Sequence, residues 1–331
     1  MGEEGLLDTG CLERYLRDAA PGLGVRAVTA VTRFPAGLSS LSCRVDALTD
    51  DGPLAMVIRA EPVHGVIPPY DIVAEHDLLT RVAAAGLPVP RVLHIEADPA
   101  VFGTRFMLMS FVEGEIYRSA DPRFETDASL VANLQTRFVE TLAAVHAVTD
   151  HGRGPFADAA EAARAEVAVC RRRLERTSVL VDPVLEHALD VLDRHAPPGD
   201  RVVLLHGDFR LPNLKWRDGR IVGILDWELA RLGDPLGDIA FTQTVGMGIC
   251  SVTGDLLDRY VTLTGADVDE RRLTYYHALE LTKSTIIGLA AARDLVEGGD
   301  DLRLLSVAGL AGSAVPIVGM LEQQISAVEV A

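Results

Sequence analysis

The chain predicts an α+β architecture in two parts, a small β-rich first lobe and a larger helical second lobe. Three observations carry this. Up to about residue 110, short β-forming runs alternate with one clear helical pattern. After Gly114 the apolar residues recur at helical spacing. The 331 residues, 48% hydrophobic and 24% charged, are an ordinary globular composition with ample material for a core. The expected lobes are 1–112 and 113–331, crossing near 110–114, with a cleft between them.

Each element has its own signal. "RFPAGLSSLSCRVDAL" reads as strand, small-residue turn, strand, and "LAMVIRAEP" as a β-forming run ended by Pro62. "YDIVAEHDLLTRVAAAG" is the one clear helix of the first lobe, stopped by Gly86. "VPRVLHIEA" and "TRFMLMSFVEG" are two further strands. Helical patterns follow over 127–149, 157–177, 182–195, 254–264, 270–297 and 301–323. Between them, 202–226 holds two apolar runs, "RVVLLHGD" and "GRIVGILDW". The uncharged stretch 304–321 contains Gly309, Gly312 and Pro316, which favours a buried terminal helix broken at the Pro over a membrane span.

Composition narrows the function. A formal net charge of -17 repels nucleic-acid phosphates, so no nucleic-acid partner is expected. The cysteines Cys11, Cys43, Cys170 and Cys250 are far apart and form no C-x-x-C pair, which argues against a zinc site or a disulfide framework. A reducing cytoplasm is the simplest location. The opening "MGEEGLLDTG" is acidic where a signal peptide needs bases, and Leu6 breaks the myristoylation pattern. No membrane partner is expected.

The chemistry is concentrated in "LLHGDFRLPNLKW" and "IVGILDWELARLGDPLGDIAF". Asp208, Asn213 and Asp226 stand at the ends of apolar runs, where side chains emerge from a core into a loop. Two carboxylates and one amide are hard oxygen donors of the kind that suits Mg²⁺ beside substrate phosphates. The "RDG" between Asn213 and Asp226 is a hairpin signal that would fold Asp226 back beside Asn213. One carboxylate is then available as a base. Singly, each of the three also reads as a turn or cap residue.

"HGDFRLPN" resembles the H-x-D-x-x-x-x-N catalytic loop of protein-kinase-like folds, and "LDWE" occupies the place of the D-F-G metal motif. The H-G-D form and the Trp after the second Asp look like the aminoglycoside phosphotransferase superfamily. The longer run "WELARLGDP" looks most like the kinase-like domain attached to some acyl-CoA dehydrogenases. The resemblance covers roughly 25–300 and is most specific over 206–240. It implies a bilobal protein-kinase-like fold and transfer of the ATP γ-phosphoryl group.

Carried over residue by residue, the resemblance makes Asp208 the base and Asn213 and Asp226 the Mg²⁺ ligands. His206 becomes a support beneath the loop. Asp238 either accepts backbone N–H bonds from the catalytic loop or is a plain helix cap. Arg210 either touches the γ-phosphate or forms a salt bridge, with Asp234 as a candidate partner. In the first lobe it implies a turn over the phosphates at 35–42, with Ser39 and Ser40, and a cation on a strand, Arg59. The wider family commonly carries Lys at that position. Glu75 shares a helix face with Ile72, Leu79 and Val82 and either pairs with Arg59 or reaches water at the edge of the stripe. Met109, Ser110, Phe111 and Val112 fall on the interlobe hinge that would read the base. Backbone reading leaves ATP or GTP open, and Met109 serves as pocket wall, as core, or as both.

The acceptor site is the least legible. Glu280 and Lys283 read either as acceptor-side groups or as an ordinary i,i+3 pair, the favoured reading. "TVGMGICSVTGD" is a connection that could reach the cleft. His146 follows Phe138 and Leu142 at helical spacing and reads as a core histidine. The expected function is ATP·Mg-dependent phosphotransfer to a hydroxyl of a small molecule, preferably a hydroxyacyl-type metabolite. Alternatives are an aminoglycoside or other antibiotic acceptor and a nucleotide-binding pseudokinase. The expected assembly is a monomer or homodimer.

Overall fold

Five antiparallel strands, in the spatial order Val25–Arg33, Leu41–Thr49, Gly52–Ala60, Phe106–Ser110 and Val92–Glu96, form the centre of the first of two units, Met1–Glu113 and Gly114–Ala331. The computed structural model describes residues 4–34, 41–62, 70–118, 121–152, 156–177, 183–244, 255–297, 304–305 and 314–330. The architecture is α+β.

In the first unit the elements are α1 (Glu4–Leu7), α2 (Thr9–Ala19), β1 (Val25–Arg33), β2 (Leu41–Thr49), β3 (Gly52–Ala60), α3 (Ile72–Ala84), β4 (Val92–Glu96) and β5 (Phe106–Ser110). Strand alternation sorts the sheet into two faces. Cys43, Val45, Met56, Ile58, Phe106 and Leu108 pack on one side with Leu6, Leu12 and Leu16. Ser42 lies opposite Arg59, and Val57 opposite Met109, in the registers of the other face. Leu78, Leu79 and Val82 of α3 are buried.

Helices α1 and α2 correct the expectation of a single helix in this lobe. The signal was present: Asp8 caps α2 by accepting a 2.7 Å bond from the Cys11 N–H, and Leu12, Tyr15 and Leu16 follow at helical spacing. Tyr15 ties α2 to β4, donating to Glu96 at 2.7 Å and meeting His94 Nε2 at 2.8 Å.

The second unit contains α4 (Arg123–Thr126), α5 (Ala128–His146), α6 (Ala159–Thr177), α7 (Pro183–Arg194), β6 (Val203–Leu205), β7 (Leu214–Arg217), β8 (Arg220–Ile224), β9 (Arg231–Gly233), α8 (Leu236–Thr244), α9 (Leu256–Thr264), α10 (Glu270–Val296) and α11 (Ala314–Val330). The long helix α10 packs against α6, α7, α8 and α11. Two short antiparallel ribbons, β6–β9 and β7–β8, carry the polar loops.

Strand β9 and helix α8 depart from the sequence expectation. Strand β9 has only three residues and exists because β6 pairs with it. Helix α8 is buried from Leu236 through Thr242, so it has no polar face and no amphipathic period to read. Helix α11 runs to Val330, beyond the expected end near 323. Pro316 falls in its first turn, where no intrahelical donor is needed, and so does not break it. No described helix is long and apolar enough to cross a membrane.

Candidate active site

The loop that follows β6 is shaped by one glycine. Gly207 has φ 82, and a Cβ placed there would stand 2.3 Å from the Leu229 carbonyl oxygen. No other residue fits both the left-handed backbone and the close approach. The chain therefore turns sharply between the buried strand and Asp208.

The side chain of Asp208 is largely enclosed, with 13% relative exposure. Asn213 donates both amide hydrogens to it, one to Oδ2 at 2.7 Å and one to its backbone carbonyl at 2.9 Å. Arg210 Nε stands 2.8 Å from Oδ1, an electrostatic contact in which Nε has no well-aligned acceptor. Burial, helped by the negative charge of Asp226, pushes the Asp208 carboxyl up to about 6, against the opposing pull of Arg210 and Asn213. Arg210 thus meets Asp208 rather than Asp234, the expected salt-bridge partner, which is held by Arg272.

His206 supports this loop from below. The Asp208 N–H points at its Nδ1 at 3.3 Å, and its Nε2 donates to the Leu225 carbonyl at 2.9 Å. Those two contacts select the tautomer with the proton on Nε2. Burial lowers the pKa of His206, which favours the same neutral ring. The ring packs against Trp227 at 4.7 Å and Phe209 at 5.6 Å.

Asp238, in the first turn of α8, accepts the backbone N–H groups of His206 and Gly207, each at 2.8 Å. Its Oδ2 also meets His146 Nε2 at 3.1 Å, and His146 Nδ1 meets the Tyr260 hydroxyl at 2.8 Å. Burial opposes the charge on Asp238, but His146 and the nearby His206 and Arg231 outweigh it and hold the carboxyl down to about 2. Of the two readings of Asp238, the geometry is that of an anchor for the loop after β6. Thr242, one turn on, donates to the Phe209 carbonyl at 2.8 Å.

The β7–β8 hairpin turns on Asp218 and Gly219, with φ of 51 and 69. Positive φ at both central residues is the type I′ pattern that matches strand twist. Its register pairs Leu214 with Ile224, and the Leu225 N–H donates to the Asn213 carbonyl at 2.8 Å. Asn213 is thereby set beside the residue that precedes Asp226, which itself has φ 67. With its amide hydrogens turned to Asp208, Asn213 has Oδ1 to offer a cation. With the Asp226 carboxylate this is a donor set of hard oxygens, and it fits Mg²⁺.

In the first unit, Arg59 of β3 and Glu75 of α3 form an ion pair, with Nε 3.0 Å from Oε1 and both side chains 10% exposed. Glu75 therefore meets Arg59 rather than water at the edge of its stripe. Met109 is buried in β5 opposite Val57. Ser110 exchanges bonds with Arg91: its N–H donates to the Arg91 carbonyl at 2.8 Å, and its Oγ accepts the Arg91 N–H at 2.9 Å. The Phe111 N–H donates to the Ala55 carbonyl at 3.2 Å, and the Arg44 guanidinium lies 4.5 Å over the Phe111 ring. Val112 follows, half-buried and outside the strand. Ser39, Ser40 and most of "TVGMGICSVTGD" lie outside the described residues.

Glu280 and Lys283 form the i,i+3 pair that their spacing suggests, but not as an isolated pair. Both are buried, and they join Arg231 and Glu166. Neither Arg231 nor Glu166 stood out in the sequence; the available signal was a Glu and a Lys within the mostly apolar run of α10.

A profile of the phosphotransferase enzyme family (APH) matches residues 30–277. Acyl-CoA dehydrogenase family member 11 from Gallus gallus is 31% identical over 252 residues, a match that covers 71% of this chain and 30% of that protein. The chain thus spans less than a third of that relative's length. A putative aminoglycoside phosphotransferase from Ralstonia eutropha superposes with a TM-score of 0.69 at 20% identity, covering 96% of this chain and 98% of the other. A thermostable mutant of aminoglycoside phosphotransferase APH(4)-Ia, in ternary complex with AMP-PNP and hygromycin B, superposes with a TM-score of 0.60 at 20% identity, covering 93% and 97%. These likenesses establish a kinase-like α+β fold. With the family profile matching most of its length, the chain belongs to the phosphotransferase enzyme family.

Proposed function

We propose that the chain transfers the γ-phosphoryl group of ATP to a hydroxyl of a small molecule. The observation that supports this best is the Asp208–Asn213 pair, with Asp226 brought close by the β7–β8 hairpin. Phosphoryl transfer asks mainly for positioning and charge neutralisation. Asp208 would orient the acceptor hydroxyl and take its proton. Mg²⁺, when bound, neutralises charge on the phosphate oxygens; Asn213 Oδ1 and the Asp226 carboxylate would hold it. Arg210 is a cation that can turn from Asp208 to the transferred group. Arg59, steadied by Glu75, would contact the phosphates. Because the Ser110 and Phe111 N–H groups are bonded within the sheet, Val112 is the hinge donor we assign to the base, with Met109 as a wall of its pocket.

For the acceptor we favour a hydroxylated metabolite of hydroxyacyl type, on the similarity to an acyl-CoA dehydrogenase family member. A second reading, an antibiotic acceptor, is favoured by the fold shared with the hygromycin B complex. The test is Mg·ATP turnover across hydroxyacyl-CoAs, hydroxy acids, amino alcohols and aminoglycosides, with Asp208→Ala as control. Turnover with one class that disappears in the variant identifies the acceptor. ATP binding without turnover on any class would overturn the enzymatic reading in favour of a pseudokinase.

A further inference from the structure

Four charged side chains are packed together beneath the catalytic loop. Arg231 Nη2 lies 2.7 Å from Glu280 Oε1, and its Nε 3.7 Å from Glu166 Oε1. Lys283 Nζ completes the set, 3.2 Å from Glu166 and 3.0 Å from Glu280. Glu280 and Lys283 are 1% and 4% exposed. The cluster is neutral, two acids against two bases, and it joins α6, β9 and α10.

Such a cluster is a poor device for stability. Removing a charge from water costs several kcal/mol, and well-packed apolar side chains of similar volume often serve as well or better. Its placement points to another role. Arg231 is directly paired with Leu205, two residues ahead of Gly207. Its Nη1 would be 2.8 Å from a Cβ at Gly207, so the guanidinium lies against the loop backbone itself. The same Nη1 reaches the Leu229 carbonyl at 3.5 Å, three residues after Asp226. Arg231 also contributes to the positive surroundings that keep Asp238 ionised, and Asp238 holds the His206 and Gly207 amides.

We propose that Arg231 is a positioning residue for phosphotransfer, and that Glu166, Glu280 and Lys283 hold its guanidinium in one place against the Gly207 turn. It acts on Asp208 through the backbone and touches no substrate. An Arg is suited to this: its planar fork meets Glu280, Glu166 and the loop at once, which a Lys ammonium cannot do. Displacing a reacting group by about 1 Å costs on the order of 100-fold in rate, so a small loosening of the turn has a large effect.

The inference rests on the proposed phosphotransfer, and its test has one readout that does not. In the full-length chain, Arg231→Lys and the quadruple variant Glu166→Leu/Arg231→Met/Glu280→Leu/Lys283→Met are compared with wild type. Slow Mg·ATP hydrolysis, with water as acceptor, gives kcat and KM. Amide hydrogen exchange over 205–210 reports the loop directly. Both variants should show kcat reduced on the order of 10- to 100-fold, ATP KM within about twofold, and faster exchange at His206 and Gly207. The quadruple variant should keep or exceed the wild-type melting temperature. Wild-type kcat and exchange in a folded quadruple variant would overturn the proposal. Should that variant fail to fold, unchanged kcat and exchange in Arg231→Lys would overturn it equally. If wild type shows no hydrolysis, the phosphotransfer reading is decided by the acceptor panel, and the exchange comparison alone decides whether Arg231 positions the loop.

Discussion

Asn213 directs both hydrogens of its amide at Asp208, one at the carboxylate and one at the backbone carbonyl of the same residue. These two hydrogen bonds to one partner fix the carboxylate orientation and leave Oδ1 as the side-chain atom that Asn213 can offer a cation. The proposed base and a proposed Mg²⁺ ligand are thus held by a single amide.

Asn213→Ala should therefore harm two functions at once. Turnover should fall on the order of 10³-fold, with a raised Mg²⁺ requirement. Asn213→Asp should restore part of the Mg²⁺ dependence but little of kcat, because a carboxylate cannot donate to Asp208. Steady-state kinetics across a Mg²⁺ titration separates the two effects.

Gly207 is held at φ 82 against the Leu229 carbonyl. Gly207→Ala should lose at least about 2 kcal/mol from backbone strain alone, and the clash adds to it. Gly86, at φ 89 with nothing within 4 Å of a new Cβ, is the control. Gly86→Asn should lose no more than about 1 kcal/mol. Guanidinium unfolding of the two variants gives the comparison.

The Arg59–Glu75 pair predicts a contrast between stability and nucleotide use. Glu75→Ala removes the carboxylate that a largely buried guanidinium meets and should be destabilising. The double variant Arg59→Met/Glu75→Leu should recover most of that stability while ATP KM rises about tenfold or more. Equal stability losses in the single and double variants would contradict the argument.

The histidine contribution to stability should fall as the pH is lowered from 7 toward 5, partly offset by Asp208, whose carboxyl, raised to about 6, takes up its proton in the folded state first. His206 has a folded pKa below its ordinary 6.5 because it is buried. Below 6.5 the unfolded chain takes up a proton that the folded ring refuses, so stability is complete above 6.5 and is lost as the pH falls toward the folded value. Burial shifts His94 and His277 in the same direction. His206→Gln should flatten part of that slope, measured as urea midpoints at a series of pH values.

The sequence was most informative where one residue type answers one local demand. Alternating β-formers gave β2, β3, β4 and β5, and helical spacing gave α3, α5, α6 and α10. "RDG" marked the turn that the Asp218–Gly219 hairpin makes. Helix α2 is equally local, an N-cap followed by a three-four apolar pattern. Helix α8 could not be read this way, since a helix buried on every side shows no period.

By itself, then, the sequence determined the α+β class, the order of most elements, and the H-G-D, Asn and Asp spacing that marks the phosphotransferase chemistry. Only the tertiary structure decided who meets whom. It gave Asp238 to the loop amides, Arg272 to Asp234 and Arg210 to Asp208. It also converted Glu280 and Lys283 from a pair on one helix into a buried cluster with Glu166 and Arg231. The physical reason is range. Turns, caps and periodicity are settled within a few residues, whereas an ion pair or a loop anchor is chosen by whichever charged group the packing of distant helices brings within about 3 Å.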